Sequence, residues 1–227
     1  MQAVILAAGK GLRLRPFTEN HPKPLIEIDG KPLLEYTLES LPDNISEIII
    51  VIGYLGNQIQ NHFGDVWNGK PIKYVVQEQL IGTGDAVQQT KSLVDENFLV
   101  VNGDDLYAKT DLSKLLDYPL SILGWSSNVP QENGLRTTQD MNLIDFDPTS
   151  TLVNCGAYHL SKDFFNSPLA EIDVRGKTEY SLPHTLVVMA KTQQVKVVEA
   201  THWFPVGTPA QHEFATKYYQ QGHNPNK

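Results

Sequence analysis

The sequence of 227 residues has little cysteine, no excess of positive charge and no long apolar run. Its one cysteine, Cys155, excludes an intrachain disulfide and a cysteine-rich metal site, and it suits a reducing compartment. Lys and Arg number 18 against 26 Asp and Glu, which gives a net charge of −8. Binders of nucleic acid or anionic membranes usually carry the opposite sign, so the sequence predicts neither partner.

The longest apolar run, around residues 48–52, is well short of the ~20 residues that span a bilayer. The first residues run into glycines and lack the basic region of a signal peptide. We therefore expect a cytoplasmic protein. With 41% hydrophobic and 19% charged residues, the chain has enough apolar material for the core of one large α/β domain.

Apolar segments alternate with helical ones in the first half, which is the rhythm of a buried, mainly parallel sheet. The predicted strands there are 3–7, 48–52, 72–76 and 98–101, and the predicted helices are 32–41, 56–63 and 83–93. The second half predicts strands at 120–125, 143–146, 152–160 and 195–200 and helices at 181–190 and 210–220. The polar end, 222–227, is expected to fray.

A glycine-rich segment follows the first predicted strand. Gly9 and Gly11 allow a close approach of the backbone to a phosphate, and Arg13 offers a planar fork that suits phosphate oxygens. The segment is neither a Walker A motif nor a dinucleotide fingerprint, and by itself it also fits an ordinary tight connection. Lys23 then lies between two prolines on a stiffened segment, where a solvated loop lysine is the alternative.

The segment 6–25 resembles the signature of the sugar-1-phosphate nucleotidyltransferases, L-A-A-G-x-G-x-R-L-x-P-x-T followed by P-K-P-L. The matching residues are Leu6, Ala7, Ala8, Gly9, Gly11, Arg13, Leu14, Pro16, Thr18, Pro22, Lys23, Pro24 and Leu25. The resemblance implies that the loop, with Leu6, Ala8, Gly9 and Gly11, wraps the triphosphate. It also implies that Arg13 holds the departing pyrophosphate and that Lys23 contacts the reacting phosphates.

A second segment concerns the nucleotide base. The amide of Gln77 has a donor and an acceptor side by side, which complements the imide edge of uracil or thymine, and Gly82 and Thr83 could add backbone groups. A helix cap with a surface glutamine is the alternative. The segment is similar to the Q-x-x-Q-x-G-T-G-x-A stretch of bacterial N-acetylglucosamine-1-phosphate uridylyltransferases, with its second glutamine one place earlier. This resemblance favours UTP ahead of dTTP.

The fourth predicted strand ends at the motif Asn102-Gly103-Asp104-Asp105. A carboxylate there, facing a triphosphate, is placed to hold Mg2+, which prefers oxygen ligands; a plain Gly-Asp turn is the alternative. The family carries its metal aspartate in a Gly-Asp pair after this strand. The resemblance therefore assigns Asp104 as the catalytic and metal residue, with Asp105 as the fallback ligand.

The acceptor half matches the family less closely. The resemblance implies that Gly134, Asn154 and Glu179 contact the sugar phosphate, although Asn154 equally fits a strand-end turn residue. The family's lysine for the acceptor phosphate is missing near Asp147. Four cations are candidates to replace it: Arg136, Lys162, Arg175 and Lys177.

The family's second metal aspartate is also missing, because Pro205 stands in the segment that resembles W-x-D-V-G-T-P. Proline has no side-chain ligand. Glu199 or His202 could approach the metal instead, although a histidine beside a tryptophan is more often simply packed.

Taken over nearly the whole chain, the resemblance implies a GT-A-like, Rossmann-like α/β fold with a mixed, mainly parallel sheet and helices on both faces. We expect a single stand-alone domain, 1–227, with a nucleotide-binding half at about 1–110 and an acceptor-binding half at about 111–221. The expected activity is Mg2+-dependent transfer of a nucleotidyl group from an NTP to a sugar 1-phosphate. A homo-oligomer is compatible with the sequence.

Two other functions remain open from the sequence. One is a cytidylyltransferase that uses a non-sugar phosphate such as phosphocholine, which the missing acceptor lysine allows. The other is a catalytically inactive protein that binds nucleotide sugars, which Pro205 suggests. Retention of Arg13, Lys23 and Asp104 favours the enzyme.

Overall fold

The computed structural model describes residues 1–226 and contains sixteen β-strands, numbered here in chain order. They are β1 (Gln2–Ala7), β2 (Glu27–Ile28), β3 (Lys31–Pro32), β4 (Glu47–Ile52), β5 (Val66–Trp67), β6 (Lys70–Val76), β7 (Asn97–Asn102), β8 (Asp105–Tyr107), β9 (Ser121–Ser126), β10 (Leu135–Thr137), β11 (Leu143–Phe146), β12 (Leu152–Ser161), β13 (Ala170–Asp173), β14 (Thr178–Ser181), β15 (Lys196–Glu199) and β16 (Trp203–Pro205).

Six α-helices connect these strands. They are α1 (Leu33–Glu39), α2 (Gly56–Phe63), α3 (Thr83–Gln88), α4 (Lys109–Leu115), α5 (Leu182–Met189) and α6 (Pro209–Gln220). Among residues 1–226, no helix has both the length and the apolar character that crossing a bilayer requires.

An eight-stranded sheet forms the centre of the molecule, in the order β15-β9-β12-β7-β1-β4-β6-β5. Six of these strands run in one direction, and β12 and β5 run against them. The expected mixed, mainly parallel sheet is confirmed, and strands from both halves of the chain contribute to it. Because β1, β4, β6 and β7 are parallel, the loops that follow them meet at one edge, where open α/β sheets bind ligands.

Two hydrophobic layers cover the faces of this sheet. Side chains such as Ile5 and Ile50 pack with α1, α2 and α4 on one face, and Val4 and Val100 pack with α3 and α5 on the other. Alternate residues of one strand point to opposite faces, so both layers come from the same apolar runs. The expectation of helices on both faces is confirmed.

One helix is shorter than its sequence pattern predicts. The pattern predicts a helix over 83–93, but α3 ends at Gln88 and turns follow it. The backbone N–H and the hydroxyl of Thr90 both donate to the carbonyl of Val87, which competes with continued helical bonding. Helix α4 and eight strands of two to four residues were also missed, because so short an element shows little periodicity. The missed strands are β2, β3, β5, β8, β10, β13, β14 and β16.

The polar end of the chain is anchored where we expected fraying. The side chain of Asn226 accepts a hydrogen bond from the backbone N–H of Lys109 at 2.7 Å and donates one to the carbonyl of Tyr107 at 2.8 Å. The expectation for 222–227 is therefore wrong at residue 226, and Lys227 lies outside the described residues. The asparagine satisfies a backbone donor at the start of α4.

A fully buried carboxylate in α4 fixes the chain between β15 and β16. Asp111 accepts hydrogen bonds from the backbone N–H groups of Thr201 and His202 at 2.6 and 3.0 Å and from the Thr201 hydroxyl. Lys114 lies 3.2 Å from the same carboxylate. These contacts offset the cost of burying the charge and set the path of the chain into β16.

We expect Asp111→Ala to destabilise the protein by about 3 kcal/mol, because two backbone N–H groups and the Thr201 hydroxyl would lose their acceptor and a fully buried side chain would be removed. Chemical denaturation followed by circular dichroism measures this loss. The matched control is Asp43→Ala, which removes an exposed ion pair with Lys109 and should leave the midpoint unchanged. Equal midpoints for both variants would contradict the role of Asp111.

Candidate active site

The loop after β1 folds back over Lys23. Gly11 has a left-handed backbone with φ of 61°, and a Cβ atom there would lie 3.0 Å from Thr18 Cγ2 and 3.1 Å from Lys23 Cβ. The buried hydroxyl of Thr18 donates to the carbonyl of Gly11 at 2.8 Å and holds this turn. Glycine is therefore required at position 11 for both its conformation and its contact with Lys23.

Lys23 and Asp104 form an ion pair across 81 residues of sequence. The Nζ atom of Lys23 lies 2.6 Å from Asp104 Oδ2, and the lysine side chain is only 10% exposed. Lys23 sits in a short 3-10 helix, residues 23–25, that begins after Pro22. The structure thus brings together two of the three predicted catalytic residues.

Glycine also positions Asp104 beside the end of β1. The N–H of Gly103 donates to the carbonyl of Leu6 at 3.0 Å, and a Cβ atom at Gly103 would lie 2.9 Å from Ile5 Cγ2. A side chain at position 103 would therefore push Asp104 away from the loop. The signal for this residue was the Gly-Asp pair itself, and the structure supplies its physical reason.

A small pocket of about 40 Å3 lies at this point, which accommodates an ion or a few waters. It is lined by Leu6, Ala7, Gly9, Gly11, Lys23, Pro24 and Asp104. Ala8, predicted to bind nucleotide, does not line it; its carbonyl accepts the N–H of Tyr54 at 3.0 Å. The other predicted loop residues Leu6, Gly9 and Gly11 surround the Lys23–Asp104 pair.

Arg13, the third predicted catalytic residue, does not line this pocket. Its Nη2 atom lies 3.2 Å from where a Cβ atom on Gly207 would stand, so the guanidinium rests against the segment that leads into α6. Arg13 is exposed, and it forms no ion pair within residues 1–226. Its charge is therefore available to an anionic ligand.

Asp105 points away from the pocket and is buried. Its carboxylate accepts a hydrogen bond from Trp203 Nε1 at 3.4 Å, and its Cα atom pairs with Pro205 across the β8–β16 ladder. Burial, with the charge of Asp104 as a second cause, raises the pKa of the Asp105 carboxyl to about 7. Asp105, the fallback metal ligand, thus lies behind Asp104 as seen from the pocket. Pro205 has no side-chain oxygen that could bind a metal ion.

Glu199 and His202, the two candidates to replace the second metal aspartate, both have other contacts in the structure. The ring of His202 packs against Phe204 and Tyr218, and burial lowers its pKa. Glu199 accepts a hydrogen bond from the hydroxyl of Ser126. Within residues 1–226, no three His, Cys, Asp or Glu side chains lie together where they could hold a metal ion by themselves. A single carboxylate such as Asp104 is compatible with Mg2+, which usually takes one or two carboxylates and completes its shell with phosphates and waters. Binding of Mg2+ at Asp104 stays a prediction.

The segment predicted to bind the nucleotide base, residues 77–86 and called the base segment below, lies next to the loop after β1. A Cβ atom on Gly53 would lie 2.8 Å from Leu80 Cδ2 and 2.9 Å from the carbonyl of Ala8, so this glycine lets the two segments meet. Gln77 begins the base segment directly after β6 and is buried. The structure therefore places Leu80 of this segment next to the loop that follows β1.

Gln77 is held by its own neighbours. Its Nε2 atom donates to the carbonyl of Gly82 at 3.0 Å and to Asp85 Oδ2 at 2.8 Å. Asp85 was missed at the sequence level, and the only available signal was an acidic side chain in the first turn of the helix after the Gly-Thr pair. Thr83, the third predicted base residue, is exposed, and its hydroxyl accepts the N–H of Leu182.

Gly82 has a structural requirement of its own. A Cβ atom there would collide with the backbone of Tyr180 in β14, and the N–H of Tyr180 donates to the carbonyl of Ile81 at 2.7 Å. The predicted acceptor residue Glu179 precedes Tyr180 and is half-buried. The hairpin β13–β14 therefore packs against the base segment and is hydrogen-bonded to it.

Asn154 anchors a bulge in β12. Its Oδ1 atom accepts the N–H of Gly156 at 3.0 Å, and its Nδ2 atom donates to the hydroxyl of Tyr158 at 2.9 Å. The ladder between β12 and β9 shifts register across these residues. A contact with a sugar hydroxyl stays a prediction, since the amide already has this structural task.

Gly134 lies beside this bulge. It bridges to Val153, and a Cβ atom on it would collide with the carbonyl of Asp147. The neighbouring Asn133 donates through Nδ2 to the carbonyl of Asn154 at 2.9 Å. The structure therefore brings the predicted residues 134 and 154 together.

The four candidate cations separate by position. Arg136 lies 3.4 Å from Asp145, an existing partner. Lys162 follows β12, whose last residue pairs with the first residue of β7, so it lies at the opposite edge of the sheet. Arg175 and Lys177 lie in the turn of the β13–β14 hairpin and form no ion pair within the described chain.

Comparison with known proteins gives concordant similarities. The chain is 35% identical over 226 residues to the bifunctional protein GlmU of Methanocaldococcus jannaschii, covering 96% of this chain and 54% of that protein. It thus spans about half the length of the first curated relatives it matches. It is 29% identical over 237 residues to the UTP–glucose-1-phosphate uridylyltransferase AglF of Haloferax volcanii, covering 97% of both.

A third relative, the D-glycero-alpha-D-manno-heptose 1-phosphate guanylyltransferase of Campylobacter jejuni, is 34% identical over 174 residues, covering 73% of this chain and 78% of that one. In three dimensions, the chain resembles a Bacillus anthracis protein provisionally named a glucose-1-phosphate thymidylyltransferase. The TM-score is 0.83 at 21% identity, covering 96% and 94% of the chains, which supports the fold. A family model described as nucleotidyl transferase matches residues 2–119. Because that match covers half of the chain, this protein belongs to the nucleotidyl transferase family of sugar-1-phosphate nucleotidyltransferases.

Proposed function

We propose that this protein transfers a uridylyl group from UTP to a sugar 1-phosphate and releases pyrophosphate, with dTTP as the second choice of donor. The observation that carries the proposal is the Lys23–Asp104 pair in a glycine-lined pocket at the carboxyl edge of β1 and β7. A cation, a carboxylate and close backbone are the groups that a triphosphate with a divalent ion requires.

The chemistry asks for positioning and charge rather than for a covalent nucleophile. An oxygen of the sugar phosphate attacks the α-phosphorus, and the bond to the departing pyrophosphate breaks. The Lys23 ammonium, already within the pocket, offsets negative charge at the reacting phosphates, and the exposed guanidinium of Arg13 is free to hold the pyrophosphate. Asp104 would hold Mg2+, which supplies further charge neutralisation when bound.

The preference for UTP rests on Gln77 and on one similarity. Both donor positions of the Gln77 amide are occupied by Gly82 and Asp85, which leaves its oxygen to accept from a base. Uracil and thymine carry an N–H for that oxygen. The relative AglF is named for UTP, whereas another relative is named for guanylyl transfer, so the family name alone does not choose the nucleotide.

For the acceptor phosphate, we propose Arg175 or Lys177 as the cation. The hairpin β13–β14 contacts Gly82 through Tyr180, and its turn carries both cations beyond that contact. Because the net charge of the chain is −8, a second phosphate substrate needs such a local cation.

A second candidate function is the binding of nucleotide sugars without catalysis. Pro205 favours it, because the position opposite Asp105 carries no side-chain oxygen. Transfer from CTP to phosphocholine is less favoured, since the Gln77 oxygen would face the unprotonated ring nitrogen of cytosine.

We expect pyrophosphate release when the protein is incubated with Mg2+, UTP and a panel of sugar 1-phosphates. Arg13→Ala and Lys23→Ala should each lower turnover by at least ~100-fold, the usual scale for one contact to transition-state charge. Lys217→Ala, which removes a surface ion pair with Glu213, is the matched control and should retain wild-type turnover.

The possible outcomes separate the candidates. No release with any pair, together with measurable binding of a nucleotide sugar, would favour the binding protein. Release only with CTP and phosphocholine would favour the third function. Wild-type turnover in either Arg13→Ala or Lys23→Ala would remove that residue from the mechanism.

We also expect the double variant Arg175→Ala/Lys177→Ala to raise the KM for the sugar 1-phosphate by about 10-fold or more, with little change in the KM for UTP. Losing a charge-assisted contact to a phosphate has about this effect. Steady-state kinetics with each substrate varied in turn measure the two constants. An unchanged acceptor KM would exclude the hairpin turn, and Lys162→Ala is the control at the opposite edge of the sheet.

A further inference from the structure

The side chain of Gln77 lies in a fixed place at the ligand edge of the sheet. The residue follows β6, and its backbone N–H donates to the carbonyl of Ile52 at the end of β4 at 2.8 Å. Only 5% of the residue is exposed. A buried amide at this edge has few orientations available, so its neighbours decide which of its atoms meets a ligand.

Those neighbours allow only one orientation of the amide. The Nε2 group has two hydrogens, and it meets two acceptors, the carbonyl of Gly82 at 3.0 Å and Asp85 Oδ2 at 2.8 Å. Turning the amide over would place its oxygen against a carbonyl oxygen and a carboxylate, with no hydrogen between them. The nitrogen is therefore on the side of α3.

The carboxylate of Asp85 is held in place by a second glutamine. Its other oxygen, Oδ1, accepts a hydrogen bond from Gln89 Nε2 at 3.1 Å, one helical turn further along α3. The carboxylate therefore spans Gln77 and Gln89. A charged acceptor of this kind strengthens the hydrogen bond from the Gln77 amide.

The oxygen of Gln77 remains free. It accepts no hydrogen bond from residues 1–226, where the buried side-chain polar atoms without a partner belong only to Trp67, Asn142, His159 and His202. Because Gln77 Oε1 is not one of these, it keeps some contact with solvent. The side chain thus presents to its surroundings an acceptor and no donor.

We propose that Asp85 is a positioning residue that fixes the Gln77 amide with its oxygen toward the nucleotide base, and so selects oxo bases with a ring N–H. Uracil, thymine and guanine carry that N–H. Cytosine and adenine carry an unprotonated ring nitrogen at the corresponding place, whose lone pair would face the oxygen. The inference rests on the proposed function for the identity of the ligand as a nucleoside triphosphate.

Asp85 also has a simple structural task, since an acidic residue in the first turn stabilises a helix. A role limited to helix stability would lower the melting temperature and weaken all nucleotides alike. A role in orienting Gln77 changes the ratio between nucleotides. The ratio is therefore the decisive measurement.

The first experiment compares the binding of UTP, N3-methyl-UTP and CTP to the wild-type protein by titration calorimetry. The methyl group removes the one N–H and leaves the rest of the nucleotide intact. We expect N3-methyl-UTP and CTP each to bind at least ~10-fold more weakly than UTP, the scale of a lost hydrogen bond that leaves an acceptor opposed. Equal affinities for UTP and N3-methyl-UTP would overturn the proposal.

The second experiment measures the UTP-to-CTP affinity ratio in variants. Asp85→Ala and Gln77→Ala should each reduce this ratio to near unity, while Asp85→Asn, whose Oδ1 still accepts from Gln77, should retain most of it. Gln89→Ala is the matched control, because it removes the other partner of Asp85 and should keep the ratio. A wild-type ratio in Asp85→Ala would refute the positioning role.

These binding measurements separate this inference from the proposed function. A protein that prefers UTP over N3-methyl-UTP but releases no pyrophosphate with any sugar 1-phosphate retains the selection by Gln77 and lacks the transferase activity. A protein that releases pyrophosphate from UTP and N3-methyl-UTP equally has the activity and refutes the selection. Failure to bind any nucleotide would refute both.

Discussion

The ion pair between Lys23 and Asp104 is the contact on which the site depends. It joins the loop after β1 to the loop after β7, and both loops reach it through glycines at positions 11 and 103. The lysine also offsets the charge of two adjacent carboxylates, since Asp105 lies buried directly behind Asp104. In a chain with a net charge of −8, this edge of the sheet thereby keeps a buried cation beside its carboxylates.

The sequence predicted the parts of the site that follow from strand order and short spacing. The family resemblance assigned both Lys23 and Asp104 to the reacting phosphates, and the structure places the two side chains in contact. The orientation of Gln77 could not be predicted, because it depends on Asp85 across a turn whose geometry the sequence pattern does not specify. For Asn154, the sequence left two readings even, and the bulge that occupies its amide is a property of the β12–β9 register.

Pro205 stands where the family pattern that this segment resembles has an aspartate. Pro205 pairs with Asp105 in the β16–β8 ladder. The chain that leads into β16 is held by hydrogen bonds to the carboxylate of Asp111. Because β16 pairs only with β8 among residues 1–226, a proline there does not interrupt a central ladder. The backbone of the segment is thus maintained by contacts that do not involve the side chain at position 205.

The close approach of Gly82 to Tyr180 has a consequence for motion. With no side chain to separate them, the segment around Gly82 and the hairpin that carries Glu179 are in close backbone contact, and the N–H of Tyr180 donates a hydrogen bond to the carbonyl of Ile81. Neither can swing outward without breaking that hydrogen bond or carrying the other along. The segment around Gly82 and the hairpin β13–β14 are therefore expected to move as one unit.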